Sequence, residues 1–382
     1  MLSRPRTNFG WKYPAATALL LGFTTGTVEA QRPMESSPET ARSVVSADLE
    51  MIYGKTETAS KVSDYSTIYD FCRNIAGDTT RLKEDRQYAR SLMSWAANRR
   101  GEARSDQAGA KVREQEYDQA AELDSQAKKD FEMAIQLDGS RWRAHHNLAI
   151  LRAVKGDNPG ALDSFNQTIR INPEFGDAFF NRGEIYFRTN QFELAIADQN
   201  KAIELKPEDS TAFSARAHSL YAVGKTNEAL ADYSKAMELA PNSAEAATEF
   251  ADTCQSLGKW KEAARAYQTA LKLDGENPRA LRNAAWMMAT CPDNYYRNGD
   301  SALETAQRAV QFASGPSSVQ TLDVLAAAQA AAGNYVAAQS TILEALKATT
   351  DPSLRNELQM RNRQYQRKRP YVQPNPVNTP SP

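Results

Sequence analysis

Residues 178–207, AFFNRGEIYFRTNQFELAIADQNKAIELKP, are followed at residues 212–241 by AFSARAHSLYAVGKTNEALADYSKAMELAP, which has nearly the same order of small, aromatic and charged residues. The period is 34 residues, and uninterrupted copies begin at Trp142, Gly176, Ser210 and Ala244. A period of this length is typical of repeated pairs of antiparallel helices. The repeat therefore predicts an all-α fold in which helix pairs stack in chain order.

Small residues recur at two places in every copy. The second helix carries an alanine, and a turn residue stands between the two helices: the alanines are Ala161, Ala195, Ala229 and Ala263, and the turn residues are Gly156, Asn190, Gly224 and Gly258. A glycine or asparagine supplies the left-handed backbone that ends the first helix, and an alanine lets the two helices approach closely. A proline then ends the second helix in the first three copies.

This pattern resembles the tetratricopeptide repeat (TPR) family, and the segment "AAWMMATCPD" resembles a late repeat of exported bacterial TPR proteins. The resemblance implies a right-handed α-solenoid, a superhelix of helix-turn-helix units. The first and sixth units carry insertions of roughly fourteen and roughly five residues. Seven units are predicted over residues 94–352, at 94–141, 142–175, 176–209, 210–243, 244–277, 278–315 and 319–352.

The first thirty residues have the features of an export signal. Arg4, Arg6 and Lys12 precede the apolar run "AATALLLGF", and small residues follow near Ala30. Cleavage after residue 30 would leave no integral membrane span, and an uncleaved anchor is the alternative. The sequence therefore predicts an exported protein of the periplasm, the cell envelope or the extracellular space.

Three segments flank the repeats. Residues 31–40 are predicted to be a linker, residues 41–93 an N-terminal helical cap that covers the apolar end of the stack, and residues 353–382 a basic segment followed by a proline-rich, disordered tail. The basic segment is either a solvated helix face or an anchor for an anionic envelope surface. Its cations are Arg355, Arg361, Arg363, Arg367, Lys368 and Arg369.

Charge and cysteine content restrict the function further. The net charge of −1 argues against a nucleic-acid partner. The three cysteines are too few for a disulfide framework. Cys254 falls at a core position and is interpreted as a structural thiol, although Cys291 is its best partner if a disulfide forms.

No catalytic constellation, cofactor motif or metal-ligand spacing stands out in the sequence. His145 and His146 are adjacent and diverge on a helix, whereas His218 lies two repeats away. Seven repeats and a cap leave no room for a separate enzyme domain, so an enzyme hidden in the cap or the first unit is a minor alternative. We expect no catalytic residue, no metal and no cofactor.

Opposite charges recur sixteen residues apart across the turn. Units that lack the arginine also lack the aspartate, as with Leu148 and Ser164, and the long first unit has a matching pair despite its insertion. Both positions face inward, where a lone charge would be costly. We therefore predict ion pairs between the two helices of a unit at Arg182 and Asp198, Arg216 and Asp232, and Arg100 and Asp130.

The resemblance also implies that the first helix of each unit lines a concave groove. The implied groove residues are His146, Phe180, Glu184, Phe187, Arg188, Ser214, His218, Tyr221, Asp252, Arg279, Arg282 and Trp286. The favoured function is a non-catalytic exported scaffold that binds an unknown protein or peptide in this groove. The alternative is binding to an envelope polymer or an anionic surface through the basic C-terminal segment.

Overall fold

A computed structural model of the chain describes residues 46–313 and 318–375. Within those residues the fold has seventeen α-helices and no β-strand. None of these helices combines the length and the apolar character needed to cross a membrane. The predicted signal at residues 1–30 and the linker at 31–40 lie outside the described residues.

The helices divide between two compact units, and the chain passes from one to the other between residues 205 and 206. The N-terminal unit contains α1 (Ala47–Thr56), α2 (Val62–Gly77), α3 (Lys83–Arg113), α4 (Tyr117–Leu137), α5 (Trp142–Val154), α6 (Asn158–Ile171), α7 (Gly176–Arg188) and α8 (Phe192–Leu205). The C-terminal unit contains α9 (Ser210–Ala222), α10 (Thr226–Leu239), α11 (Ala244–Ser256), α12 (Trp260–Leu273), α13 (Pro278–Thr290), α14 (Gly299–Gln311), α15 (Val319–Ala331), α16 (Tyr335–Ala348) and α17 (Pro352–Gln366).

The repeat pattern correctly places the helix pairs. The predicted starts at Trp142, Gly176, Ser210 and Ala244 are the first residues of α5, α7, α9 and α11. The backbone is left-handed at each predicted turn residue, with φ of 82° at Gly156, 59° at Asn190, 82° at Gly224 and 70° at Gly258. The alanine of each second helix is fully buried. The predicted all-α stack of helix pairs is thus confirmed within each unit.

The first helix pair is longer than the others. The helices α3 and α4 have 31 and 21 residues, and the turn between them passes through Gln115, which has a φ of 63°. The residues predicted as an insertion therefore lengthen both helices. The predicted boundary between cap and repeats at residues 93 and 94 falls inside α3, where no proline or turn residue interrupts the helix.

The helices α1 and α2 pack on the first half of α3. Their shared core contains Leu49, Ile68, Cys72, Leu92 and Trp95, each buried. This cluster closes the apolar side of α3 that no repeat covers. The helices α1 and α2 fall within residues 41–93, which the sequence predicts to be an N-terminal cap, and the described part of that segment begins at residue 46.

The last helix and the segment after it differ from the prediction. The helix α17 buries Leu358, Arg361 and Tyr365, so one of the six predicted cations faces the core rather than solvent. The tail was predicted to be disordered after Lys368, but residues 369–375 return to α13, where Tyr371 packs against Trp286. The prediction failed because it judged this segment by its proline content alone. Residues 376–382 lie outside the described part of the chain.

Candidate functional site

The three predicted arginine and aspartate pairs are in contact. Two hydrogen bonds join Arg182 to Asp198, from Nε to Oδ2 at 2.7 Å and from Nη2 to Oδ1 at 2.6 Å. Arg216 binds Asp232 with the same geometry at 2.7 Å and 2.7 Å. Such parallel bonds use the planar guanidinium fully, so each pair joins the first helix of a unit to the second.

The long first unit contains a variant of this pair. Arg100 donates from Nε and Nη2 to Oδ1 of Asp130 at 3.0 and 2.7 Å, and Arg104 donates to Oδ2 at 2.5 Å. Asp130 is buried, so it pairs with two cations in a weakly hydrated position. The participation of Arg104 was missed by sequence reasoning, although it stands one helical turn after Arg100.

His146 is the groove residue of α5, and it packs against three neighbours. Its ring lies edge-on to Phe165 and Phe175, with centroids 5.6 and 4.9 Å away, and its Nε2 is 3.1 Å from Nδ2 of Asn181. Asn181 lies on α7, the next first helix. The side chain of His146 therefore joins α5, α6 and α7 within the N-terminal unit.

The groove residues of α7 form a short aromatic and charged row. Phe180, Glu184 and Phe187 are half-buried, and Arg188 is exposed at the end of the helix. The ring of Phe187 lies 5.6 Å from that of Phe192 at the start of α8. Aromatic groups in this partly exposed position can contact a ligand without leaving their packing partners.

A polar cluster between α3 and α5 was not predicted. Nδ2 of Asn147 donates to Asn98 at 3.1 Å and to Glu102 at 2.9 Å, and Arg99 donates to Glu102 at 2.6 Å. Asn147 and Asn98 are buried. These residues are 49 positions apart and share no repeat position in the sequence, so only the fold brings them together.

In the C-terminal unit, His218 of α9 faces α11. Its Nε2 lies 3.3 Å from Oε1 of the buried Glu249, and its ring packs edge-on against Tyr233 with centroids 5.3 Å apart. Burial opposes ionisation of Glu249, but the interactions with His218, the charge of Arg279 and the hydroxyl of Ser214 outweigh it and lower the pKa of Glu249. Ser214 and His218, two predicted groove residues, thus share a partner that was not predicted.

Asp252 is the centre of a hydrogen-bond network on α11. Its carboxylate accepts from the Tyr267 hydroxyl at 2.6 Å, from Nδ2 of Asn283 at 2.8 Å and from Nη2 of Arg279 at 2.8 Å. The other arm of Arg279 binds Glu245. Asp252 is buried, and its partners come from α12 and α13, so one carboxylate orients two neighbouring helices.

Arg282 and Trp286 continue the row along α13. Arg282 donates from Nε to Asn283 at 3.1 Å, and burial lowers the pKa of Arg282 although the charge of Asp252 opposes the shift. Tyr221, the last predicted residue of α9, is half-buried. The predicted groove residues of the C-terminal unit therefore lie on consecutive first helices, α9, α11 and α13.

Arg361 connects this surface to α15 and α17. It donates to Asp323 at 2.7 Å and to Glu357 at 2.9 Å, and its guanidinium lies 5.2 Å from the ring centre of Trp286. Both Arg361 and Asp323 are buried. The pair lies 38 positions apart and was not predicted.

The stability of the C-terminal unit should depend on the protonation of Asp323. Burial raises the pKa of Asp323 from 3.8 to about 6, although Arg361 opposes the rise. Between about pH 4 and pH 6 the folded state therefore binds more protons than the unfolded state, so this carboxyl lowers the free energy of unfolding as the pH rises. Asp323→Asn cannot titrate, and its stability relative to wild type should rise by about 2 kcal/mol across that window.

Denaturant unfolding of both proteins at pH 4, 5, 6 and 7 measures this difference. The exposed Asp300→Asn serves as a control, for which we expect a nearly constant difference. A difference between Asp323→Asn and wild type that does not change with pH would contradict the assignment.

The three cysteines lie in apolar surroundings, apart from the ion pairs and hydrogen-bond networks described above. Cys72, Cys254 and Cys291 are free and buried, and Cys254 and Cys291 belong to one apolar cluster with Trp260 and Met287. Burial raises the pKa of the Cys254 thiol to about 12, which keeps it protonated and unreactive. Among the described residues, no group of three or more His, Cys, Asp or Glu side chains could hold a metal ion.

The repeats match a known family at two places along the chain. Two profiles, each described as tetratricopeptide repeat, match residues 146–210 and residues 220–286. The chain contains tetratricopeptide repeats. TPR units are modules of protein-protein interaction, so the chain is a scaffold for contacts with other proteins. No curated protein sequence matches it.

Several solved TPR structures are similar to the chain. YrrB, "a TPR protein with an unusual peptide-binding site", is 23% identical, with 47% of this chain and 90% of YrrB covered and a TM-score of 0.38. PilF of Pseudomonas aeruginosa is 18% identical, with 58% and 94% covered and a TM-score of 0.48. A TPR protein of Parabacteroides merdae is 16% identical, with 70% and 98% covered and a TM-score of 0.48.

Proposed function

We propose that the protein is a non-catalytic, exported scaffold that binds a segment of a partner protein on the first helices of its TPR units. The main support is the row of polar contacts on α9, α11 and α13. His218 meets Glu249, and Asp252 meets Arg279 and Asn283, so each first helix orients side chains of the next. A surface fixed in this way loses little conformational entropy when a partner binds.

The half-buried side chains of this surface provide the groups that a peptide needs. Ser214, Tyr221, Arg282 and Trp286 combine hydrogen-bonding groups, a cation and two aromatic rings, and each keeps part of its side chain exposed. Aromatic and arginine side chains are the most frequent energetic centres of protein interfaces. In the N-terminal unit, Phe187 and Arg188 on α7 offer a similar combination.

The protonation chemistry supports binding rather than catalysis. Glu249 lies against His218, and Asp252 accepts from Arg279, Tyr267 and Asn283. A general base needs a lone pair directed toward substrate, whereas these carboxylates direct theirs toward side chains within the fold. Export is supported by the basic and apolar pattern of residues 1–30.

Site-specific cross-linking in intact cells tests this function. A photoreactive aromatic residue replaces Phe187 or Tyr221 on the proposed surface, or Tyr295 or Val336, which are each 85% exposed elsewhere, as controls. We expect a protein adduct of defined mass from the first two positions and none of that mass from the controls. Adducts from the control positions alone would contradict the proposal.

A second candidate is binding to an anionic envelope surface. Five of the six cations in the basic segment remain exposed: Arg355, Arg363, Arg367, Lys368 and Arg369. Charge reversal at Arg363 and Lys368 should abolish binding to vesicles rich in anionic lipid if this function is correct, and wild-type binding should then fall steeply with salt. Wild-type protein that does not bind such vesicles would exclude it.

A further inference from the structure

The chain after α17 folds back onto the proposed binding surface. Trp286 donates from Nε1 to Oε1 of Gln373 at 3.1 Å, and the backbone N–H of Gln373 donates to the carbonyl of Thr290 at 2.9 Å. The ring of Tyr371 lies 5.8 Å from that of Trp286. Trp286 and Thr290 belong to α13, the first helix of its unit.

Arg361 also contacts both aromatic rings of this pair. Its guanidinium lies 5.2 Å from the centre of the Trp286 ring and 5.0 Å from the centre of the Tyr371 ring. Asp323 fixes the guanidinium in that position through the 2.7 Å ion pair. The surface therefore presents an aromatic ring, a buried cation and the carbonyl of Thr290 at the end of α13 to one extended segment.

This segment is separable from the part of the C-terminus that closes the fold. The helix α17 covers the last repeat with the fully buried side chains of Leu358 and Tyr365. Residues 369–375 add no helix and no fully buried side chain, and Val372 is 41% exposed. Tyr371 also packs at the edge of this core as a half-buried side chain, but Leu358 and Tyr365 would still cover its centre after the loss of the segment.

We propose that residues 371–373 occupy α13 as an internal ligand, and that the partner binds there with an extended segment of the same chemistry. That chemistry is an aromatic residue followed two positions later by a side-chain amide, as in Tyr371 and Gln373. The inference rests on the proposed function, because it names the ligand class for the surface on α13. The partner then binds only by displacing the internal segment.

The short connection explains why the internal segment competes well. Seven residues after Gln366 reach Gln373, a span of at most about 25 Å when fully extended. A flexible link of this length gives an effective concentration on the order of 1 mM. An isolated segment that binds with a Kd of about 0.1 mM would then be bound roughly ten to one when attached, which weakens an external ligand about tenfold.

A labelled peptide with the sequence of residues 367–375, RKRPYVQPN, tests the proposal on the full-length protein. Fluorescence anisotropy measures its binding to wild type and to the double variant Tyr371→Ser/Gln373→Ala. In this variant, residues 371–373 lack the ring and the amide that contact Trp286 on α13. We expect the double variant to bind the peptide about tenfold more tightly than wild type. Val372→Ser, at an exposed position between them, should behave like wild type.

Two further measurements establish that binding occurs on α13 through these groups. Adding Trp286→Ala to the double variant should weaken the peptide at least tenfold. A peptide with the same two substitutions, which retains every cation, should bind the double variant at least tenfold more weakly than the original peptide, and this result does not depend on how Trp286→Ala folds. Equal binding of the original peptide to wild type and double variant, or equal binding of both peptides, would overturn the proposal.

The outcomes separate this inference from the proposed function. If the double variant binds the peptide but the cross-linking experiment gives no adduct, the internal contact is supported and the scaffold function is contradicted. If positions 187 and 221 give adducts but wild type and double variant bind the peptide equally, the scaffold function is supported and the internal ligand is contradicted.

Discussion

Asp198→Ala is expected to lower the free energy of unfolding by about 3 kcal/mol, because it leaves the charge of Arg182 without its partner inside the helix pair. The side chains of Arg182 and Asp198 are only 18% and 8% exposed, so water compensates little for the lost bonds. Arg182 keeps a hydrogen bond of 2.6 Å to Asn166, which limits the loss. Denaturant unfolding followed by circular dichroism measures the change.

Matched variants show whether the pairing is the cause. Asp163→Ala removes an exposed aspartate of α6, and we expect a change within about 0.5 kcal/mol. Replacing both partners by apolar residues, as in Arg182→Met/Asp198→Leu, should recover a large part of the loss, since no unpaired charge remains. If Asp198→Ala is as stable as wild type, the pair does not stabilise the fold.

Asp252→Ala is expected to have an effect of similar size, about 3 kcal/mol, through a different mechanism. The change removes the acceptor of three donors at once, the Tyr267 hydroxyl, the Asn283 amide and the Arg279 guanidinium. Tyr267 retains a bond of 3.1 Å to Gln255, and Arg279 retains Glu245, but Asn283 loses its contact to α11. The loss should appear both in thermal unfolding and in reduced protection of α13 amides from hydrogen exchange.

Two controls accompany Asp252→Ala. Asp252→Asn keeps a carbonyl acceptor for the Tyr267 hydroxyl but removes the charge, so its cost should be smaller than that of the alanine variant. Glu276→Ala removes an exposed carboxylate from the turn before α13 and should leave stability almost unchanged. Asp252→Ala protein with wild-type stability and wild-type exchange of α13 would show that the network does not hold that helix.

Features set by the repeat could be predicted from the sequence because they are local and recur. The helix starts, the left-handed turn residues such as Gly224 and the pairing of Arg216 with Asp232 all lie within 34 residues of their counterparts in the next copy. A feature seen in one copy could therefore be checked against the same position in the other copies. The agreement is poorest in the first unit, where α3 runs through the predicted end of the cap.

Contacts that occur once were not predictable in this way. Gln373 lies 87 positions from Trp286, and Arg361 lies 38 positions from Asp323, with no second copy of either contact among the described residues. Composition was misleading at both places, since it marked the tail as disordered and Arg361 as a solvated cation. Of the groove residues, the sequence placed His218 and Asp252 on the correct helices but did not predict that Glu249 and Tyr267 are their partners.

The placement of the arginine and aspartate pairs also bears on how such a chain can change in length. Each pair joins the two helices of a single unit, as Arg182 joins α7 to Asp198 on α8. Duplication of one 34-residue unit therefore adds both charges, and deletion removes both, so neither change leaves an unpaired charge. The unit with Leu148 and Ser164 at the same two places shows the complementary case, in which both charges are missing at once. A unit that has the arginine and aspartate pair can therefore replace a unit that lacks it without leaving an unpaired buried charge.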